Sequence, residues 1–256
     1  MKKIIFITIL SLCFLFVCRE NVLSKSRFEK DPFWTEEFND GYRPNRKFWE
    51  IEWKAFAQDG QAYIMSPNNS YCEKGLLHLK CIKQELHGKK CTSARINTKG
   101  KVSFLYGKID VRAKAPIGKG VHPAIWMLPE ETTRPSGEID FMESMYCWGD
   151  NKVQVNVHVY DKQDKNHQYK KMVDLRPDEW HIYSLEWYKD KLVFLIDGKK
   201  VHQLSKNQLV SWPYDRSHFL LLNVAFGGWG GSCGSDYDIL PKEMLVDYVR
   251  YYKLKE

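Results

Sequence analysis

The sequence predicts an all-β fold, a sandwich or a barrel. Three observations carry this expectation. From residue 33 to residue 253, short apolar and β-branched runs alternate with turns rich in Gly, Pro, Asn and Asp. No segment keeps a helical period over several turns, and no segment repeats another. Asp197-Gly198, set between the runs 192–196 and 201–204, is a hairpin signal, because a tight two-residue turn needs positive φ at both central positions. The chain has 256 residues, enough for one β domain with a single sizeable core.

The elements follow in order. Residues 76–82 and 106–113 are the first clear strands. In residues 153–160, Asn156-Val157-His158-Val159-Tyr160 alternates polar and apolar side chains, so the strand has one face in the core and one outside it. Residues 181–188 come next. Leu192-Val193-Phe194-Leu195-Ile196 is almost continuously apolar, which predicts cover on both faces. Residues 219–225 and 245–252 complete the set.

One run stands apart. Glu138-Ile139-Asp140-Phe141-Met142-Glu143 places three carboxylates in an apolar strand. Burying acids together is costly unless each is paired, protonated or used. Alternation puts Glu138 and Asp140 on one face and Glu143 on the other. A β-bulge near Phe141 or Met142 adds one residue and returns Glu143 to the acidic face. Three acids in a row then repel one another, and their pKa values should separate, as an acid and a nucleophile working together require. Ser136-Gly137 before the run and Met145-Tyr146-Cys147-Trp148 after it argue against a plain solvated strand.

Composition narrows the partners. Aromatic residues make up 14% of the chain, with 9 Trp and 14 Tyr, which suits a β-sandwich core and equally a cleft where flat sugar faces stack. The formal charge of +7 is spread over loops such as 162–171 and 189–200, with no dense basic stripe and no nucleic-acid motif. A nucleic-acid partner is therefore not expected.

Lys2 and Lys3, followed by the apolar run 4–17, resemble an export signal. The run is too short for a membrane-spanning helix. It lacks the usual small-residue cleavage site and stops at Cys18, the position of an acylated cysteine in a bacterial lipoprotein, although Leu15-Phe16-Val17 departs from the usual lipobox. The expected organisation is a signal over 1–18, a polar tether over 19–32 and one catalytic sandwich over 33–256. The protein is expected at the cell surface or in the periplasm, with a lipid on Cys18 as its only tie to a membrane; plain secretion is the alternative. Of seven cysteines, Cys13 and Cys18 fall in the signal, leaving Cys72, Cys81, Cys91, Cys147 and Cys233. No CxxC pair suggests zinc. An odd count leaves a thiol free, and both Cys72 with Cys81 or Cys91 and Cys147 with Cys233 stay open as pairings.

Across residues 34–253 the chain resembles glycoside hydrolase family 16. The similarity is carried, in order, by Trp34–Asn39, Thr92–Lys99, Tyr106–Lys114, His122-Pro123-Ala124-Ile125-Trp126-Met127-Leu128-Pro129, Gly137–Glu143, Glu186-Trp187 with Asp197-Gly198, Asn223–Gly231 and Val246-Asp247-Tyr248-Val249-Arg250. Gly228–Gly231 and Asp247–Arg250 lean towards the laminarinase-like branch. The resemblance implies a jelly-roll β-sandwich with a concave cleft, and retaining endo-hydrolysis of a β-linked polysaccharide without a catalytic cofactor. It implies that Glu138 is the nucleophile, Glu143 the acid/base and Asp140 the group that tunes Glu138. His158 resembles the family's cleft histidine, which lies near the acid/base. Trp126, Trp148 and Trp229 are candidate sugar platforms. Asp247 resembles a structural calcium ligand, for which hard oxygen donors are suited.

Two positions depart from the laminarinase pattern. Arg134-Pro135 stands where Trp-Pro is usual, and His122-Pro123-Ala124 where Trp-Pro-Ala is usual. An Arg in place of a stacking Trp replaces an aromatic face with a rigid five-donor fork. This favours extra hydroxyls, an N-acetyl carbonyl or an anionic group. It sets β-galactosides, such as poly-N-acetyllactosamine on mucin-type glycans, beside β-glucans as substrates with β-1,3 or β-1,4 bonds. Two other readings are a binding-only module on the same sandwich and a transglycosylase. Against the first, all three acids are present in order. An open cleft gives no reason to expect more than a monomer.

Overall fold

The structure, a computed structural model, describes residues 27–55 and 59–255. The expected signal and the start of the expected tether lie outside the described residues. In chain order the strands are β1 (Trp34–Glu36), β2 (Glu50–Ile51), β3 (Lys54–Ala55), β4 (Gln61–Tyr63), β5 (Ser70–Glu73), β6 (Leu76–Cys81), β7 (Cys91–Ser93), β8 (Arg95–Asn97) and β9 (Gly107–Lys114). They continue with β10 (Val121–Pro129), β11 (Ser136–Glu143), β12 (Lys152–Tyr160), β13 (Asn166–Gln168), β14 (Lys171–Asp174) and β15 (His181–Trp187). The last four are β16 (Lys191–Ile196), β17 (Lys199–Ser205), β18 (His218–Phe226) and β19 (Lys242–Tyr252).

Two eight-stranded sheets hold most of them. One runs β17-β16-β15-β9-β19-β6-β5, with β1 on β19. The other, which carries the cleft, runs β13-β12-β11-β10-β18-β8-β2, with β14 on β12. Strands distant in sequence are neighbours, as β9 is between β15 and β19, so the chain crosses between sheets in the manner of a jelly roll. The strands expected from the sequence are all present, and Asp197 and Gly198 turn with φ of 50° and 73°. In β16 only Lys191 and Leu195 are partly exposed, in keeping with cover on both faces.

Alternation builds the core. Leu77, Leu79, Ile109, Val111 and Leu185 from one sheet meet Ile125, Met127, Ile139, Val155, Val157, Leu220 and Leu222 from the other, all fully buried. Each such side chain contributes about 1.5–3 kcal/mol relative to leaving it in water. The opposite faces of β10, β11 and β12 are thereby turned towards the cleft.

One expectation needs correction. The stretch read as a tether is docked where it is described: Phe28 is 5% exposed, bridges Leu254 and packs on Tyr188 at 5.6 Å between rings. Its apolar ring offsets the polar composition that suggested a tether. Asp247 does not belong to a cluster of acidic, histidine or cysteine ligands among the described residues. Its carboxylate is ion-paired with Arg112 on the neighbouring strand β9. The cysteine question resolves to Cys147–Cys233, with Cys72, Cys81 and Cys91 free and buried.

Candidate active site

The site is built by a bulge in β11. Against β10, Ile125 pairs with Met142 but Trp126 pairs with Asp140, so Phe141 is the extra residue. The register against β12 shifts between Asp140 and Glu143 as well. Phe141 and Met142 therefore both point into the core, at 1% and 0% exposure, and Glu143 returns to the face of Glu138 and Asp140. Gly137 makes the approach to this strand. A Cβ there would lie 2.3 Å from the Tyr214 ring. With hydrogen in its place, Tyr214 fits beneath the strand and its hydroxyl donates to the His158 carbonyl at 2.6 Å.

The electrostatics put the proton on the middle acid. Burial, then the charges of Glu143 and Glu138, hold the Asp140 carboxyl well above the usual range. Burial raises Glu138 as well, opposed by the charge of His158 and by hydrogen bonds from Tyr160 and Asp140. Tyr160 donates its hydroxyl to Glu138 Oε2 at 3.4 Å. A protonated Asp140 can donate to Glu138, which lets two buried carboxyls sit side by side with one negative charge. His158 faces Glu138 across the β11–β12 ladder, and its Nε2 is 3.3 Å from Asp140 Oδ2. Burial alone would lower this imidazole, but Asp140, Glu138 and Asn166 outweigh it and push it up to about 9.

Glu143 is held differently. His122 Nε2 lies 3.1 Å from its Oε1, and Gln154 donates to its Oε2 at 3.3 Å. The histidine at Glu143 is therefore His122, and His158 belongs to the other two acids. Which acid each ring meets depends on strand order.

Glu138, Glu143, His122 and His158 share a cleft of about 430 Å³, which Asp59, Tyr63, Arg95, Gly227, Trp229 and Gly230 also line. Trp126 lies in its floor, with Nε1 donating to Asn223 Oδ1 at 2.8 Å and the Arg95 guanidinium 4.8 Å from its ring centre. Trp229 is 54% exposed and packs edge-on against His122 at 5.0 Å. Trp148 does not line the cleft; it supports Trp229 from behind at 5.7 Å. Arg134 lines an adjoining cavity of about 330 Å³ with Lys99, Tyr160 and Phe219, which meets the first at Glu138. Its guanidinium lies 5.0 Å over the Tyr160 ring and pairs with Asp164 at 2.6 Å. Asn223 could have been found as the polar residue inside the apolar run 219–226. Asp59, Tyr63 and Gln168 carried no such mark.

A concave row of three carboxyls, the middle one protonated, beside aromatic rings, is chemistry for a glycosidic bond. Comparison with known proteins agrees. The family model described as glycosyl hydrolases family 16 matches residues 58–250. A β-glucanase of Rhodothermus marinus is 31% identical over the whole of this chain and 97% of its own. A keratan-sulfate endo-1,4-β-galactosidase of Sphingobacterium multivorum is 35% identical over 62% of this chain and 39% of its own. The crystal structure of SCLam, a non-specific endo-β-1,3(4)-glucanase, superposes with a TM-score of 0.81 and 32% identity, over 90% of this chain and 92% of that one.

Proposed function

This chain belongs to glycosyl hydrolase family 16 and is a retaining endo-acting β-glycoside hydrolase; on that premise we propose that Glu138 is its nucleophile, Glu143 its acid/base and Asp140 the donor that tunes the nucleophile. In the first step a Glu138 oxygen bonds to the anomeric carbon as the glycosidic C–O bond breaks, and Glu143 gives its proton to the departing oxygen. In the second step Glu143 takes a proton from water, whose oxygen bonds to the anomeric carbon as the bond to Glu138 breaks. Asp140 supports the first step by donating to Glu138 and the second by stabilising the carboxylate that leaves. The bulge at Phe141, which puts the three acids on one face of the cleft, is the observation that carries this reading. Glu138→Ala and Glu143→Ala should each lower turnover by about a thousandfold or more with melting temperature retained. Normal reducing-end release from either variant would overturn the assignment.

The proposed substrate is a β-glucan with internal β-1,3 or β-1,4 bonds, in line with the names of the relatives above. A β-galactoside is a second reading, favoured by Arg134, whose fork-shaped guanidinium beside Glu138 and Tyr160 suits added polar or anionic groups. Protein lacking residues 1–18 would be incubated with laminarin, mixed-linkage glucan, agarose and mucin O-glycans, with Glu138→Gln as blank. Fragments from a glucan support the first reading, and fragments from agarose or mucin glycans alone support the second. Added acceptor sugars would divert product to longer chains if the enzyme were a transglycosylase.

The proposal extends to place and form: an exported monomer held by a lipid on Cys18. The Cys147–Cys233 disulfide supports export, since such bonds persist in oxidising compartments. Detergent partitioning of the full chain against Cys18→Ser would test the anchor; equal partitioning would rule it out.

A further inference from the structure

The assignment of Glu143 leaves open what aims its proton. We infer that His122 is a positioning residue for Glu143, and that the Gly227–Gly231 turn locks His122 in that position; the inference rests on the acid/base role proposed above. His122, Ala124 and Trp126 lie on the cleft face of β10, and Ala124 is the direct partner of Glu143 across the ladder. The His122 ring therefore reaches Glu143 from one residue pair further along, with Nε2 3.1 Å from Oε1. Gln154, from β12 on the other side, reaches Oε2. The carboxyl is gripped at both oxygens, so its plane is set relative to the cleft axis.

The ring itself has little freedom. Trp229 closes on it edge-to-face at 5.0 Å. A Cβ on Gly230 would come within 2.6 Å of the His122 Cβ, so the turn is in contact with the base of the side chain. The turn is fastened by Gly227 N–H to the Gly120 carbonyl at 2.8 Å, just before β10, and by Gly231 N–H to the Gly227 carbonyl at 3.0 Å. Cys233, a few residues on, ties the same loop to Cys147. The Gly-rich segment therefore acts on the acid/base through one imidazole.

Aiming a proton matters only when the leaving oxygen needs one. The test compares kcat/KM on two aryl β-glycosides of the disaccharide unit of whichever polymer the enzyme cleaves, one with a phenyl and one with a 2,4-dinitrophenyl leaving group. His122→Ala should lose about tenfold to a hundredfold on the phenyl glycoside, part of the usual contribution of a general acid, and under about threefold on the dinitrophenyl one. His122→Gln, whose amide can still donate to Oε1, should recover most of the loss. Gly230→Ala, which displaces the ring, should show the same selectivity as His122→Ala. Equal losses on both glycosides, or no loss on either, would overturn the inference. Glu143→Gln is the control. If it cleaves the phenyl glycoside at the wild-type rate, the role of Glu143 itself falls. If it is selectively slow and the His122 variants are not, only the inference falls.

Discussion

Asp140 illustrates how a residue's environment can assign its proton. It is 1% exposed between two other carboxyls, and those neighbours together with burial keep it protonated far above the usual range. Asn retains a donor for Glu138, whereas Ala does not. Asp140→Asn should stay within about tenfold of wild-type turnover and Asp140→Ala should fall well below it, since a hydrogen bond to a charged group is worth about 1.5–3 kcal/mol. Parallel kcat measurements would check this; equal loss in both variants would deny Asp140 its donor role. His158 makes a second residue-scale prediction. Its folded-state pKa is raised to about 9, against roughly 6.5 in an unfolded chain. Between those values the folded state binds more protons than the unfolded state. The stabilisation is complete below about pH 6.5 and is lost as pH rises through 9, by at most about 1.4 kcal/mol per pH unit. The raised carboxyls of Asp140 and Glu138 act in the same direction. Melting temperature followed across this window should fall, and His158→Gln should flatten the fall.

At the scale of elements, β11 does most to define the site. Its bulge converts a sequence spacing that would split the acids into a geometry that unites them. The motif was legible because three acids among Ile, Phe and Met have few other uses, and an odd spacing called for an extra residue. What was not legible was the strand order that brings His122 to Glu143 and His158 to the other two acids. The partner of a strand residue depends on which strand lies beside it and in what register, and neither is written in the strand itself. Gly137 is the element's tightest constraint, because Tyr214 occupies the space where a Cβ would go. Gly137→Ala should destabilise the protein by about 1–3 kcal/mol, the usual cost of overpacking. Urea denaturation would measure it, and activity should fall with it because the displaced strand carries Glu138. An unchanged midpoint would show that Tyr214 can give way without cost.

For the whole molecule, the Cys147–Cys233 bond closes a loop with a sequence separation of 86 residues. Chain-entropy arguments put such a crosslink at about 4.6 kcal/mol. The bond also joins the segment bearing Trp148 to the segment bearing Trp229, so it holds an aromatic wall at one end of the cleft. Cys147→Ser with Cys233→Ser should lower the melting temperature and raise KM more than it lowers kcat. A KM that does not move would mean that the two tryptophans hold each other in place unaided.

The sequence by itself determined the strands, the hairpin at Asp197-Gly198 and the triple-acid motif, because these rest on local alternation, turn chemistry and the cost of buried charge. It also pointed to a carbohydrate cleft through a resemblance spread over the whole domain. Only the tertiary structure decided the contacts between distant segments. It paired Asp247 with Arg112, docked Phe28 against Tyr188, joined Cys147 to Cys233 and gave each histidine its own carboxyl. Those outcomes depend on how two sheets stack and in what order their strands lie, which no single run of residues encodes.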